Sequence, residues 1–160
     1  MSSFNRRSVL MLPLALAACG FTPVYGPGGT GTKLQNQVLV AAPQDRNSYL
    51  LVRRIEERIG RSDVPQYNLS LTLETREEGL GIDPDGNIDR YNLIGIAGYV
   101  LTDATSGAQV TSGTVNSFTG YSATGSTVET LASERDARER LMVILGDQIV
   151  SRLLAAPLPA

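Results

Sequence analysis

The chain reads as an α+β domain, a two-layer sandwich in which a four-stranded mixed sheet carries two helices on one face. Three observations lead there. Residues Tyr67, Leu69, Leu71 and Leu73 alternate with Asn68, Ser70, Thr72 and Glu74, the period of a strand with one apolar and one polar face. Two other segments carry apolar residues at helical spacing: Leu51, Val52, Ile55 and Ile59, and then Ala137, Leu141, Leu145, Ile149 and Leu153. The element order is β-α-β-β-β-α. A helix between the first two strands permits a parallel crossover, while short turns make the remaining strands antiparallel.

The elements follow in order. Residues 1–18 read as a signal peptide, with Arg6 and Arg7 before the apolar run Val9-Leu10-Met11-Leu12-Pro13-Leu14-Ala15-Leu16-Ala17-Ala18. As a helix that run reaches roughly 15 Å, half of a ~30 Å hydrocarbon core, so it is an export signal and not a membrane span. The arginine pair is compatible with general or twin-arginine export. Cys19 follows small residues and is the only cysteine, so it has no disulfide partner within the chain. In this setting it reads as a lipidation site. Leu16-Ala17-Ala18-Cys19 resembles a bacterial lipobox, which implies diacylglycerol on the Cys19 sulfur, cleavage after Ala18 and acylation of the new amino terminus. One fatty chain binds a membrane marginally, at about 0.8 kcal/mol per buried methylene, whereas two or three hold firmly. Gly20, in place of an aspartate, points to the outer membrane under the sorting rule of enteric lipoproteins.

Residues 19–36 read as a lipidated tether, because Pro23, Pro27 and the glycines at 26, 28, 29 and 31 oppose regular structure. The domain proper is expected over residues 37–156. Its first strand covers Gln37–Ala42 and ends at Pro43; Ser48 caps the first helix and Gly60 stops it. The strand at Tyr67–Glu74 leads to a turn at Asp83-Pro84-Asp85-Gly86-Asn87. A long strand at Arg90–Asp103 turns at Thr105-Ser106-Gly107 into a Thr/Ser-rich partner from Gln109 to Tyr121. Ser126 and Glu129 match a capping box that opens the last helix. On that helix Glu134–Arg138, Arg135–Glu139 and Asp136–Arg140 are opposite charges at i, i+4, the mark of a solvated face. Gly146 in its apolar stripe leaves room for close approach of a neighbour. Pro157 and Pro159 put residues 157–160 in a loose tail.

Composition excludes several functions. Removal of residues 1–18 takes away Arg6 and Arg7 and no acid, so 14 basic and 16 acidic residues become 12 and 16, a net charge of −4. Nucleic-acid binding demands the opposite balance. The chain has no histidine, and so lacks the usual general base near neutral pH and the commonest metal ligand. With Cys19 used as an anchor, no thiol remains. No cofactor, metal or catalytic residue is expected, and the chain does not read as an enzyme.

Three motifs are decoys. Gly26-Pro27-Gly28-Gly29-Thr30-Gly31 matches the dinucleotide pattern but lacks a preceding strand. Asp83–Asp89 has its glycine in the wrong place for a calcium loop. Gly120-Tyr121-Ser122-Ala123-Thr124-Gly125 misses a nucleophile elbow by one position.

With both helices on one face, the other is left to water or to a partner. It is expected to carry the polar alternates of the Leu69 strand and the hydroxyl-rich last strand. Such a surface suits simple solvation and suits a wet, polar contact such as the inside of a large β-barrel.

Three blocks carry a family resemblance: Cys19-Gly20-Phe21-Thr22-Pro23-Val24-Tyr25-Gly26; Arg90-Tyr91 with Ala97-Gly98-Tyr99-Val100-Leu101-Thr102-Asp103; and Tyr121-Ser122 with Asp136-Ala137, Arg140 and the Ile149…Leu153 helix end. Together they resemble the lipopolysaccharide-assembly lipoproteins of the LptE family, especially its alphaproteobacterial branch. The resemblance implies a two-layer α/β domain that plugs the LptD outer-membrane barrel, on the periplasmic side, and delivers lipopolysaccharide to the cell surface. Lipopolysaccharide is anionic, as is the mature chain, so direct contact with it requires local cations such as Arg61, Arg76 or Arg90; solvated surface is the alternative for these three. Two other functions compete: an auxiliary lipoprotein of an ABC-type lipid transport system, and a lipid-anchored enzyme built on paired carboxylates.

Overall fold

The computed structural model describes residues 23–82, 86 and 88–158. The signal peptide, Cys19 and most of the Asp83–Asn87 turn lie outside the described residues. The elements are α1 (Thr30–Leu34), β1 (Val38–Val40), α2 (Arg46–Ile59), β2 (Tyr67–Ile82), β3 (Ile88–Asp103), β4 (Gln109–Ser122) and α3 (Thr127–Ala155). The sheet order is β1-β2-β3-β4, with β1 parallel to β2 and the other pairs antiparallel. This is the expected mixed sheet, with α2 making the crossover. The strands β2 and β3 run longer than expected, to Ile82 and from Ile88, as one 16-residue hairpin arm each.

Local chemistry sets the helix ends. The residue that caps α2 is Asp45, not Ser48: the Asp45 carboxylate accepts from the Ser48 amide at 2.7 Å, and the Ser48 hydroxyl accepts from the Asp45 amide at 2.9 Å. Ser48 is thus the third helical residue of a reciprocal box, with a hydroxyl in the role a glutamate usually has. These bonds, first that from the Ser48 amide, hold the Asp45 carboxyl below its ordinary pKa. α2 ends at Gly60, whose φ of 77° lies in the left-handed region. α3 opens as expected, on a Ser126–Glu129 capping box.

The segment before β1 corrects the expected tether. Residues 30–36 are folded onto the domain. The Leu34 side chain is fully buried, and the Asn36 amide donates to the Ile59 carbonyl at 2.8 Å, satisfying an otherwise orphaned group at the end of α2. An apolar side chain and a cap outweigh the low helix propensity of the Gly-rich stretch. At the other end, Leu158 packs against the core although it belongs to the expected loose tail.

One core forms between the helices and one face of the sheet. Leu51, Ile55 and Ile59 of α2 meet Leu141, Met142, Leu145, Ile149 and Leu153 of α3 over Leu69, Leu93 and Leu101 of the sheet, all of them essentially solvent-free. Each such side chain contributes about 1.5–3 kcal/mol by leaving water. Two glycines let the layers close. A Cβ on Gly146 would stand 2.8 Å from Arg54 Cγ, so α2 and α3 touch at that point; a Cβ on Gly95 would stand 2.9 Å from Leu145 Cδ1, where α3 crosses β3. Thr119 is buried, and its hydroxyl donates to the Ala137 carbonyl at 2.9 Å, tying β4 to α3.

Overpacking the helix contact tests this geometry. Gly146→Leu is expected to lower stability by about 1–3 kcal/mol despite the better helix propensity of leucine, read as a shifted urea midpoint. An unchanged or raised midpoint contradicts the close approach of α2 and α3.

Candidate partner-binding surfaces

The sheet face opposite the helices is open, and the ladder register orders it into rows. Across β2, β3 and β4 these are Ser70–Val100–Ser112, Thr72–Gly98–Thr114, Glu74–Ile96–Asn116, Arg76–Ile94–Phe118, Glu78–Asn92–Gly120 and Leu80–Arg90–Ser122. The outer columns are polar, as the sequence predicts. The central column is not: Ile94, Ile96 and Val100 form an apolar spine, and Phe118 extends it sideways. Phe118 is 65 % exposed and Ile96 39 % exposed, and with Ile94 and Val100 they form one contiguous apolar patch on the open face. The expected polar alternates of β2 and β4 line this face, and the apolar alternates of β3 lie between them. The signal was available in β3, where Leu93–Leu101 has no polar alternates at all. Strands of that kind are normally covered on both faces.

The helix-covered face holds polar clusters with structural roles. Arg54 places Nε and Nη2 on the two oxygens of Asp147, each at 2.9 Å, and Arg58 Nη1 adds a bond to Asp147 at 2.7 Å. This fork joins α2 to α3 and holds the Asp147 carboxyl below its ordinary range, with the Arg54 bonds the main cause. Arg53 reaches Glu139 at 2.9 Å, so Glu139 pairs across the helices rather than along α3. The expected i, i+4 pairs Glu134–Arg138 and Asp136–Arg140 are present. At the far end Tyr121 donates to Glu77 at 2.6 Å and stacks on Tyr91 with ring centroids 5.3 Å apart. Burial, then the bond to Glu77, raises the Tyr121 phenol above its ordinary pKa, so it remains a neutral donor.

The sequence motifs resolve as follows. Gly26, Gly29 and Gly31 donate their amides to the carbonyls of Pro23, Gly26 and Val24, so a pyrophosphate finds none of the three free. Ser122 closes β4, with its hydroxyl donating to the Asp89 carbonyl at 3.3 Å; no strand-to-helix elbow forms there. Among the described residues no group of three or more Asp, Glu, Cys or His could hold a metal ion. The three arginines considered for an anionic ligand do not converge. Arg76 and Arg90 share the open face but stand four residues apart along the ladder, about 13 Å, and Arg76 pairs with Glu78 at 3.4 Å. Arg61 lies at the other end, in a cleft beside β1 and α2.

Comparisons with known proteins agree with this architecture. A family model described as "LptE: Lipopolysaccharide-assembly" matches residues 35–153. Among solved structures, a lipoprotein from Caulobacter crescentus superposes with a TM-score of 0.67 at 21% identity, covering 80% of this chain and 95% of that one. Rare lipoprotein B from Shewanella oneidensis gives 0.58 at 14%, covering 76% and 94%. A minor lipoprotein from Acinetobacter baumannii gives 0.56 at 15%, covering 80% and 97%. These likenesses establish the fold. A search of the curated proteins finds no match. No described helix is long and apolar enough to cross a membrane.

The Asp147 fork carries a pH signature. A carboxyl whose folded pKa is depressed contributes fully above its unfolded value, near 4, and the contribution fades as pH falls through the folded value. Asp147→Asn is expected to cost about 1 kcal/mol at pH 7, modest because the pair is partly solvated, and less at lower pH. Urea midpoints of both proteins between pH 2 and 7 check this; a gap that widens toward acid contradicts it.

Proposed function

The chain belongs to the lipopolysaccharide-assembly LptE family, and from that membership we propose an outer-membrane lipoprotein that plugs and scaffolds an LptD-type β-barrel. Lipid on Cys19 holds it to the membrane, with the domain on the periplasmic side. The folded domain occupies the barrel lumen and helps the barrel fold. It acts by occupancy and contact, without catalysis.

One observation carries this reading: the helices cover a single face of the sheet, and the other presents an apolar spine between polar columns. The spine supplies area that gains by leaving water. The flanking hydroxyls, amides and charges suit the polar interior of a large barrel. Polar columns around an apolar strip keep the free domain soluble until the barrel forms around it. The mature net charge of −4 argues against capture of an anionic lipid by overall charge, and the scattered arginines argue against a built headgroup site. Scaffolding of the barrel therefore stands ahead of lipid capture.

Two measurements test the reading. Replacing Cys19→Ala is expected to move the protein from the membrane fraction to the soluble periplasmic fraction; retention at the membrane contradicts the anchor. Mild detergent extraction of the lipidated protein is expected to recover one large β-barrel in near-stoichiometric amount. Phe118→Asp is expected to lower that recovery at least tenfold at an unchanged urea midpoint. Recovery of the chain alone, or with an inner-membrane ATPase complex and no barrel, overturns the proposal.

A further inference from the structure

The outer edge of the sheet has features that the plug role does not explain. β4 is the terminal strand, 14 residues long, and among the described residues its outward side meets no other strand. The Ala123 amide donates to the Asp89 carbonyl, which directs the odd-numbered backbone groups of β4 toward β3. Alternation in an antiparallel ladder then turns the amides and carbonyls of Ser112, Thr114, Asn116, Phe118 and Gly120 outward. Arg140 covers one of them, the Gly120 carbonyl, at 3.3 Å.

Proteins usually protect such an edge with lysine, proline, a bulge or brevity. β4 has no charged residue and no proline, and its register against β3 is unbroken from Arg90–Ser122 to Leu101–Thr111. The exposed edge of β2 beyond Leu73 carries Glu74, Arg76, Glu77 and Glu78 and is protected in the ordinary way. The contrast within one sheet marks β4 as an edge kept open.

Beside that edge runs a groove. Thr114 and Asn116 form one wall, and Ile144, Gln148, Ser151 and Arg152 of α3 form the other, around a volume of about 660 Å³. Ile144 is an exposed apolar side chain on an otherwise polar helix face. A strand edge alongside a helix is the geometry that receives an extended peptide: main-chain bonds give affinity, and alternate side chains enter the groove.

Charge identifies the occupant. Among the described residues Arg152 has no ion-pair partner, and Asp147, the acid lining the groove, is already held by Arg54 and Arg58. A second copy of β4 brings no charge and leaves Arg152 unmatched. We propose that the β4–α3 groove binds an extended segment of the barrel partner as a fifth strand, with an apolar side chain against Ile144 and a carboxylate on Arg152. The inference rests on the barrel reading above and adds the mode and place of contact.

The experiment uses the full lipidated chain, extracted from membranes with the barrel bound. Asn116→Pro and Thr114→Pro remove outward amides that the β3 ladder does not use, a position where an edge strand tolerates proline. Arg152→Glu reverses the groove charge on an exposed helix position and leaves the sheet untouched. Each proline variant is expected to recover at least tenfold less barrel, and Arg152→Glu at least threefold less, at urea midpoints equal to that of the parent. If the proline variants prove unstable, Arg152→Glu with Ile144→Asp decides alone. Equal barrel recovery in these variants overturns the edge-strand inference and leaves the plug reading intact. Absence of barrel from the parent protein overturns both. A homodimer abolished by Asn116→Pro also overturns the inference, because the groove then takes a second copy.

Discussion

The burial of the α3 stripe is the constraint on which the structure depends. Leu141, Leu145, Ile149 and Leu153 are removed from water by β3, β4 and α2 together, so one helix joins sheet and crossover into a single core. Gly146 and Gly95 set how closely the layers approach, and the Arg54–Asp147–Arg58 fork holds α2 and α3 in register above them. Because α2 and α3 both pack on one side, no described helix covers the other.

That asymmetry organises the surface. β3 is apolar toward both sides, yet only one side is covered by helices, so Ile94 and Val100 are half-buried and Ile96 is exposed near the exposed ring of Phe118. An apolar strip fringed by serine, threonine and asparagine is inexpensive to keep soluble and gains when covered. The outer edge of β4 follows the same pattern: its backbone groups are paired inward and open outward, beside a groove on α3. Membership in the lipopolysaccharide-assembly family gives both surfaces a context for the proposed docking.

Much of the fold was legible in the chain. The alternation at 67–74, the two helical stripes, the glycine stop at residue 60 and the Ser126–Glu129 box each act over a few residues, and each appears where the pattern places it. Where the structure departs from the local pattern, a competing contact decides. Serine is a common cap, but the Asp45 carboxylate three residues before Ser48 is the stronger acceptor and caps α2. The composition of the Gly-rich stretch implies a tether and does not reveal that Leu34 is buried in the core or that Asn36 closes α2. The polar alternates of β2 and β4 reach the open face as their periodicity implies, and the apolar alternates of β3 join them there because strand pairing puts β3 between the two.

The sequence by itself determined the signal-like amino terminus, the lone Cys19, the exclusion of histidine chemistry and the order of strands and helices. These depend on residue identity and short-range periodicity, which a linear chain carries in full. Only the tertiary structure decided which strand became the open edge and which side chains gather on the uncovered face. It also decided that, among the described residues, Arg152 has no ion-pair partner beside β4 while Asp147 is taken by α2. Those outcomes depend on the pairing of strands and helices distant in sequence, and local patterns hold no record of which partner each surface will meet.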